Sequence, residues 1–166
     1  EFLNLVETVR RYIPDTSIST DIIVGFPGET EEEFDETLQV MNQVVFDRAF
    51  MFKYSSRPGT KAAEYSDQIN EEIKQNRLAR LIDLQQSHTL KANQRHIGEV
   101  LKVMVEKESK KSTMQWTGRT EGNMGVIFDK GTAKLKDIVD ILIQDAQGVS
   151  LFGNRVLEKE TKHEIN

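Results

Sequence analysis

The chain has 166 residues, room for one ordinary domain or two small ones, with 37% hydrophobic and 30% charged residues and a formal net charge of −5. That balance is too rich in Val, Ile, Leu and Phe for a disordered chain and suits a water-soluble intracellular protein; no apolar run approaches the roughly 20 residues of a membrane span. The absence of cysteine excludes disulfides, thiolate zinc sites, iron–sulfur ligation and Cys nucleophiles within these residues, and His88, His96 and His163 are too scattered for a two-histidine metal site.

The charge is unevenly placed. Residues 1–98 carry 11 Lys/Arg against 16 Asp/Glu, and residues 99–166 carry 11 of each. This argues against a chain-wide nucleic-acid tether and leaves room for a local basic face in the second half. The first seven residues are acidic and amphipathic, unlike a signal peptide, and without an initiator Met the chain is expected to start inside a longer polypeptide.

Phe2, Leu5, Val6, Val9 and Ile13 recur at helical spacing until Pro14 and Asp15 stop the run. Ser17 to Gly25 reads as a strand buried on both faces, as in a parallel sheet. After Gly25-Phe26-Pro27-Gly28-Glu29, Thr30 caps a second helix with Glu33 at the capping-box position, and Phe34, Leu38, Met41 and Val45 fall on one face. Glu31 to Glu33 are expected to serve only the positive helix end. Ala49 to Tyr54 is a second strand, leading into Ser55-Ser56-Arg57-Pro58-Gly59-Thr60. Helix, strand, helix, strand is the grammar of a parallel α/β sheet, and two such strands alone suggest the end of a larger α/β domain. Asn70 caps a long third helix with Leu78, Leu81, Ile82, Gln85 and Leu90 on its contact side, stopping at Gly98, with His88 and His96 solvated.

From Glu99 the pattern changes to short alternating segments: Leu101–Val105, Trp116–Arg119, Val126–Phe128, Val139–Ile143 and Val149–Phe152, separated by turn residues. The fold class is therefore α/β plus all-β: the tail end of a larger parallel α/β domain (residues 1–68, a partial barrel by the resemblance given below), a connecting helix (69–98), a small antiparallel OB-like barrel (99–157) and a polar tail (158–166).

Three places carry candidate chemistry. The Gly25–Glu29 loop follows a parallel strand, where α/β folds place ligands; its glycines either admit a ligand or only set a turn. Asp21, inside an apolar strand, needs donors, from a ligand or from an arginine. Arg57 either clamps a carboxylate or phosphate or lies on the surface beside a tight turn. In the second half, Lys107, Lys110, Lys111, Arg119, Lys130, Lys134, Lys136 and Arg155 fall at strand ends and loops near Trp116, Phe128 and Phe152. Cationic loops with stacking platforms grip single-stranded nucleic acid; the other reading is a solubilising surface over core aromatics.

Two strings, Ser19-Thr20-Asp21-Ile22-Ile23-Val24-Gly25-Phe26-Pro27-Gly28-Glu29-Thr30 and Tyr54-Ser55-x-Arg57-Pro58-Gly59-Thr60-x-Ala62-Ala63, resemble the late strands of the radical S-adenosylmethionine barrel in methylthiotransferases. Arg77-Leu78-x-Arg80-Leu81 resembles that family's bridging helix. Ser109-Lys110-Lys111, Thr117-Gly118-Arg119-Thr120 and Ser150-Leu151-x-Gly153 resemble its TRAM domain, an RNA-binding OB-like module. The likeness is nearest to the branch that adds a methylthio group to C2 of isopentenyl-adenosine beside the tRNA anticodon. A ribosomal-protein aspartate branch and a non-catalytic RNA-binding protein stand as alternatives.

The resemblance implies S-adenosylmethionine and two [4Fe–4S] clusters, a cytoplasmic location, the anticodon arm of tRNA as partner, and an N-terminal part of the same polypeptide that carries the cluster cysteines. It implies cofactor contacts from Asp21, Ile23, Gly25, Phe26, Tyr54, Ser55 and Arg57, and RNA contacts from Lys107, Lys110, Lys111, Trp116, Arg119 and Arg155. No catalytic or metal-ligating residue is implied here, so the 166 residues alone are expected to be inactive.

Overall fold

In a computed structural model, which describes residues 1–14 and 16–156, the chain divides into two compact units, Glu1–Thr89 and Leu90 onward. Asp15 and the expected polar tail lie outside the described residues.

The first unit holds α1 (Phe2–Tyr12), β1 (Ser19–Val24), α2 (Glu31–Val44), β2 (Arg48–Lys53), a 3₁₀ turn at Lys61–Glu64 and most of α3 (Glu71–Gln94). β1 and β2 pair in parallel from Ser19↔Arg48 to Val24↔Lys53. Ile18, Ile22 and Val24 from the first strand segment and Ala49 and Met51 from the second meet Val6, Phe34, Met41, Val44, Phe46 and Leu81 in one core. The alternate side chains Asp21, Ile23, Phe50 and Phe52 are exposed. The expectation of strands buried on both faces is thus corrected: helices cover one face of this pair, because the period-2 alternation gives each strand only one inward set.

Thr30 accepts a hydrogen bond from Glu33 N at 3.2 Å, and the Glu33 carboxylate accepts one from Thr30 N at 2.9 Å, so the capping box is complete. The far end of α2 departs from the expected pattern. Val44, not Val45, faces the core; Val45 is the C-cap, exposed, with φ +50°. A β-branched residue is strained there, and the Val45 N–H bond to Met41 O at 2.8 Å helps hold it. Arg10 of α1 donates to the terminal carbonyl of Val44 at 2.6 Å, answering the unpaired end of the helix.

Along α3, Leu78, Leu81 and Leu84 pack into the same core, and Gln85 Nε2 donates to Phe46 O at 3.0 Å. His88 is buried, its Nε2 3.1 Å from Asn42 Oδ1, which corrects the expectation of a solvated histidine. His96, half-buried, sets Nδ1 2.6 Å from a Glu99 carboxylate oxygen.

The second unit contains β3 (Val100–Glu108), β4 (Gln115–Arg119), β5 (Gly125–Asp129), β6 (Ile138–Gln147) and β7 (Ser150–Arg155). They close into a barrel in the order β3-β4-β5-β7-β6, antiparallel except for the parallel β5–β7 pair. Val103, Val105, Trp116, Val126, Phe128, Val139, Ile141, Ile143 and Leu151 fill it. Gly118 and Gly153 let strands approach where a Cβ would overlap the carbonyl oxygens of Met104 and Leu142. Bulges between Val105 and Lys107 and between Ile143 and Asp145 bend the two longest strands enough for closure. Val149, expected in the last strand, is an exposed turn residue instead.

Candidate functional site

The loop after β1 is held from four sides. Gly25, at φ +72°, donates its N–H to the Glu29 carboxylate at 2.6 Å, and Glu29 N donates to Phe26 O at 3.0 Å. Gly28 N donates to Asp67 O at 3.0 Å. Arg77, only 4% exposed, reaches from α3 to donate to the Glu29 carboxylate at 2.6 Å and to its carbonyl at 3.0 Å. Gly25 admits no side chain: a Cβ would overlap the Lys74 stem, and the left-handed backbone disfavours one anyway.

The acidic run beside this loop does more than face a helix dipole. Glu31 pairs with Arg80 and with Arg77 at 3.3 Å, and Arg80 also reaches Asp35 at 2.8 Å. The hydrogen bond from Arg80 chiefly holds the Glu31 carboxyl below its ordinary value, with Arg77 adding to it against a desolvation cost. The Arg80 guanidinium lies 4.7 Å from the centre of the Phe34 ring, so α3 is clamped to α2 by charge and aromatic contact together.

Of the residues expected to face a cofactor, several gather at the carboxyl ends of β1 and β2. Tyr54 N donates to Val24 O at 2.8 Å, and Phe26 meets Tyr54 edge-on at 5.2 Å between centroids. Tyr65 lies 6.4 Å from Phe26. Ile23 and Phe26 are exposed. Asp21 is also exposed, on the uncovered face opposite Phe50, so it is not the buried carboxylate that its apolar neighbours suggested. Ser55 and Arg57 are exposed in the following loop, where the Arg57 carbonyl accepts from Thr60 N and Oγ1 at 3.2 and 2.8 Å.

Sequence reasoning missed Glu29 as an anchor, Arg77 as its partner, and Lys74. The available signal was the placement of Lys74, Arg77 and Arg80 at three-residue steps on one helix, a basic edge with acidic residues close to it in the fold.

In the barrel, Lys107 sits near the end of β3, Lys110 and Lys111 in the β3–β4 loop, and Lys130, Lys134 and Lys136 in the β5–β6 connection. That connection is tied to the β3–β4 loop by Lys130 N donating to Met114 O at 3.0 Å, and to Arg155 by a 2.9 Å bond to Thr132 Oγ1. Lys107, Lys110, Lys111, Lys134 and Lys136 are exposed. Arg119 sits at the other end of β4, donating to the Asn123 carbonyl and Oδ1 at 3.0 Å and pairing with Glu106 at 3.3 Å.

Trp116 and Phe128 face inward. Trp116 is 9% exposed, donates Nε1–H to Ala133 O at 3.0 Å, and has the Lys130 ammonium 4.3 Å from its ring centre. This corrects the picture of Trp116 as an outer stacking platform: the parity of β4 turns it into the core. Phe152 has the opposite parity. It is half-buried outside the core cluster, in an outer row with Ile127, Thr117 and Lys107.

The TRAM domain family matches residues 94–156. The chain is 40% identical, over all of its length, to the tRNA-2-methylthio-N(6)-dimethylallyladenosine synthase of Methylacidiphilum infernorum, covering 37% of that protein. Proteins of the same name from Porphyromonas gingivalis W83 and Christiangramia forsetii are 46% and 41% identical over 93% and 94% of the chain, which covers 34% and 33% of them. The chain thus spans about a third of the length of the curated relatives it matches. Residues 94–156 thus match the TRAM domain family, and similarity to the tRNA-2-methylthio-N(6)-dimethylallyladenosine synthases runs across both units of the chain.

Proposed function

We propose that this chain works as one part of a radical S-adenosylmethionine methylthiotransferase acting on tRNA, with the barrel gripping RNA while the first unit walls the cofactor pocket. The single observation that carries this reading is that similarity to synthases of that name runs through 93–100% of the chain rather than through the TRAM domain alone.

The residues of the first unit fit an adenosyl group. The uncovered face of the β1–β2 pair offers Ile23, Phe50 and Phe52 as apolar contacts, with Phe26 beside them at the strand ends. Tyr54 adds a buried hydroxyl without a hydrogen-bond partner among the described residues. When bound, S-adenosylmethionine would supply the methyl group and the radical chemistry; Ile23, Phe26 and Tyr54 would orient its adenosyl part and exclude water, while the missing side chain of Gly25 makes room for the Lys74 stem. The residues do not fit an iron–sulfur cluster, since the chain has no cysteine, and no step is assigned to one here.

The RNA grip is assigned to Lys107, Lys110, Lys111 and Arg155 around the loops and to Arg119 on β4, with Phe152 in place of Trp116 as the stacking surface. The test is tRNA binding by the 166-residue chain, followed by fluorescence anisotropy across a salt series. Replacing Lys110, Lys111 and Arg119 together by Ala should weaken binding and lower the log–log salt slope by about two to three. Unchanged affinity and slope would move the RNA site elsewhere.

A further inference from the structure

Three basic side chains leave the first turns of α3 toward the β1 and β2 ends, and two are matched by carboxylates: Arg77 by Glu29 and Glu31, Arg80 by Glu31 and Asp35. The third, Lys74, is 8% exposed and has no ion pair or side-chain hydrogen bond among the described residues. Glu71, one turn before it, feels the Lys74 charge at longer range but is paired directly with Lys53. The Lys74 stem lies against the Cα of Gly25, and its Nζ stands 5.3 Å from the centre of the Tyr54 ring. A cation over an aromatic face gains something, but the ring takes none of the ammonium's three N–H donors, which remain open to solvent or a ligand.

The hydroxyl of the same Tyr54 is buried and without a partner among the described residues. A second donor is therefore also unanswered. Phe26, packed edge-on against Tyr54, is exposed. A fixed cation, an unspent hydroxyl and an open aromatic ring stand together where parallel strands end, the usual ligand position of α/β folds.

We infer that Lys74, assisted by the Tyr54 hydroxyl, binds an anionic oxygen group, a carboxylate or a phosphate, belonging to a ligand whose flat part lies against Phe26. The inference rests on the proposed reading of this end of β1 and β2 as the ligand face and adds to it a residue outside the two strands. Two sources offer this chemistry: the amino-acid carboxylate of S-adenosylmethionine and a backbone phosphate of the RNA. The Lys74 stem is held by Gly25 and Tyr54, so little rotamer freedom remains to be lost on binding, which favours a preorganised contact.

The test uses the complete polypeptide that the reading frame encodes and three probes: S-adenosylmethionine and 5′-methylthioadenosine by equilibrium dialysis, and an anticodon stem-loop RNA by anisotropy. The thioether shares the adenosine but has no carboxylate. If the carboxylate is the ligand, Lys74→Met weakens S-adenosylmethionine by about tenfold and leaves 5′-methylthioadenosine unchanged. Lys74→Arg keeps most of the affinity, and Tyr54→Phe gives a smaller loss on the same probe. If the phosphate is the ligand, the same variants weaken only the RNA. Unchanged affinity for all three probes overturns the inference. So does a parallel loss on all three with a lowered thermal midpoint, which would make Lys74 a packing residue. Failure of the wild-type protein to bind either nucleoside or RNA overturns the proposed function itself, and this inference with it.

Discussion

The Glu29 carboxylate meets two donors, one from its own loop and one from a distant helix: the Gly25 N–H and the Arg77 guanidinium, each at 2.6 Å. Both side chains are largely withdrawn from water, so removing one partner strands the other. We expect Arg77→Ala to destabilise the chain by about 3 kcal/mol, read as a shift in the urea midpoint. Glu31, more exposed, contributes through pH. Its folded-state carboxyl lies below the ordinary 4.5, so its pairing stabilises above that value and is lost as the pH falls below it. Glu31→Gln should accordingly lower stability at pH 7 and reduce the further loss on acidification below about pH 4.5; equal acid sensitivity of both proteins in urea titrations would refute the pairing. The arginine partners are far away in sequence: Arg77 is 48 residues from Glu29.

At the scale of elements, parity decides what each aromatic of the barrel can do. The β4 burial pattern places Trp116 and Gly118 inside and Gln115, Thr117 and Arg119 outside, while on β7 Leu151 and Gly153 go inside and Phe152 does not. Trp116→Ala should cost about 3–5 kcal/mol through the cavity and the lost bond to Ala133 O. Trp116→Phe should lower stability less and leave tRNA affinity unchanged. Loss of affinity in a folded Trp116→Phe protein would return the indole to the RNA surface. The helix signals were legible because they are local: the Thr30–Glu33 box forms within four residues. The end of α2 was misread by one residue because a left-handed valine is set by Arg10 and the core rather than by propensity.

For the chain as a whole, the proposed function assigns it recognition without cluster chemistry. The chain has no cysteine, and no cluster of three His, Asp or Glu side chains suited to a metal occurs among the described residues. After reconstitution with iron and sulfide, the 166-residue chain should form no methylthiolated nucleoside from tRNA, as read by mass spectrometry of digested RNA, while still binding tRNA. Turnover by this chain would refute that assignment. Composition and pattern determined much of this by themselves: the acidic first half and balanced second half, the parallel α/β grammar, the switch to period-2 strands after Gly98, and the basic loop residues. Each follows from neighbours within a few positions, where side-chain period and turn chemistry act. Which strand face helices cover, how Arg77 fastens the loop after β1, why Lys74 makes no direct ion pair and which aromatic points out of the barrel were decided only by the tertiary structure. Those outcomes depend on which distant groups are brought together, and desolvation then makes every pairing, or its absence, count.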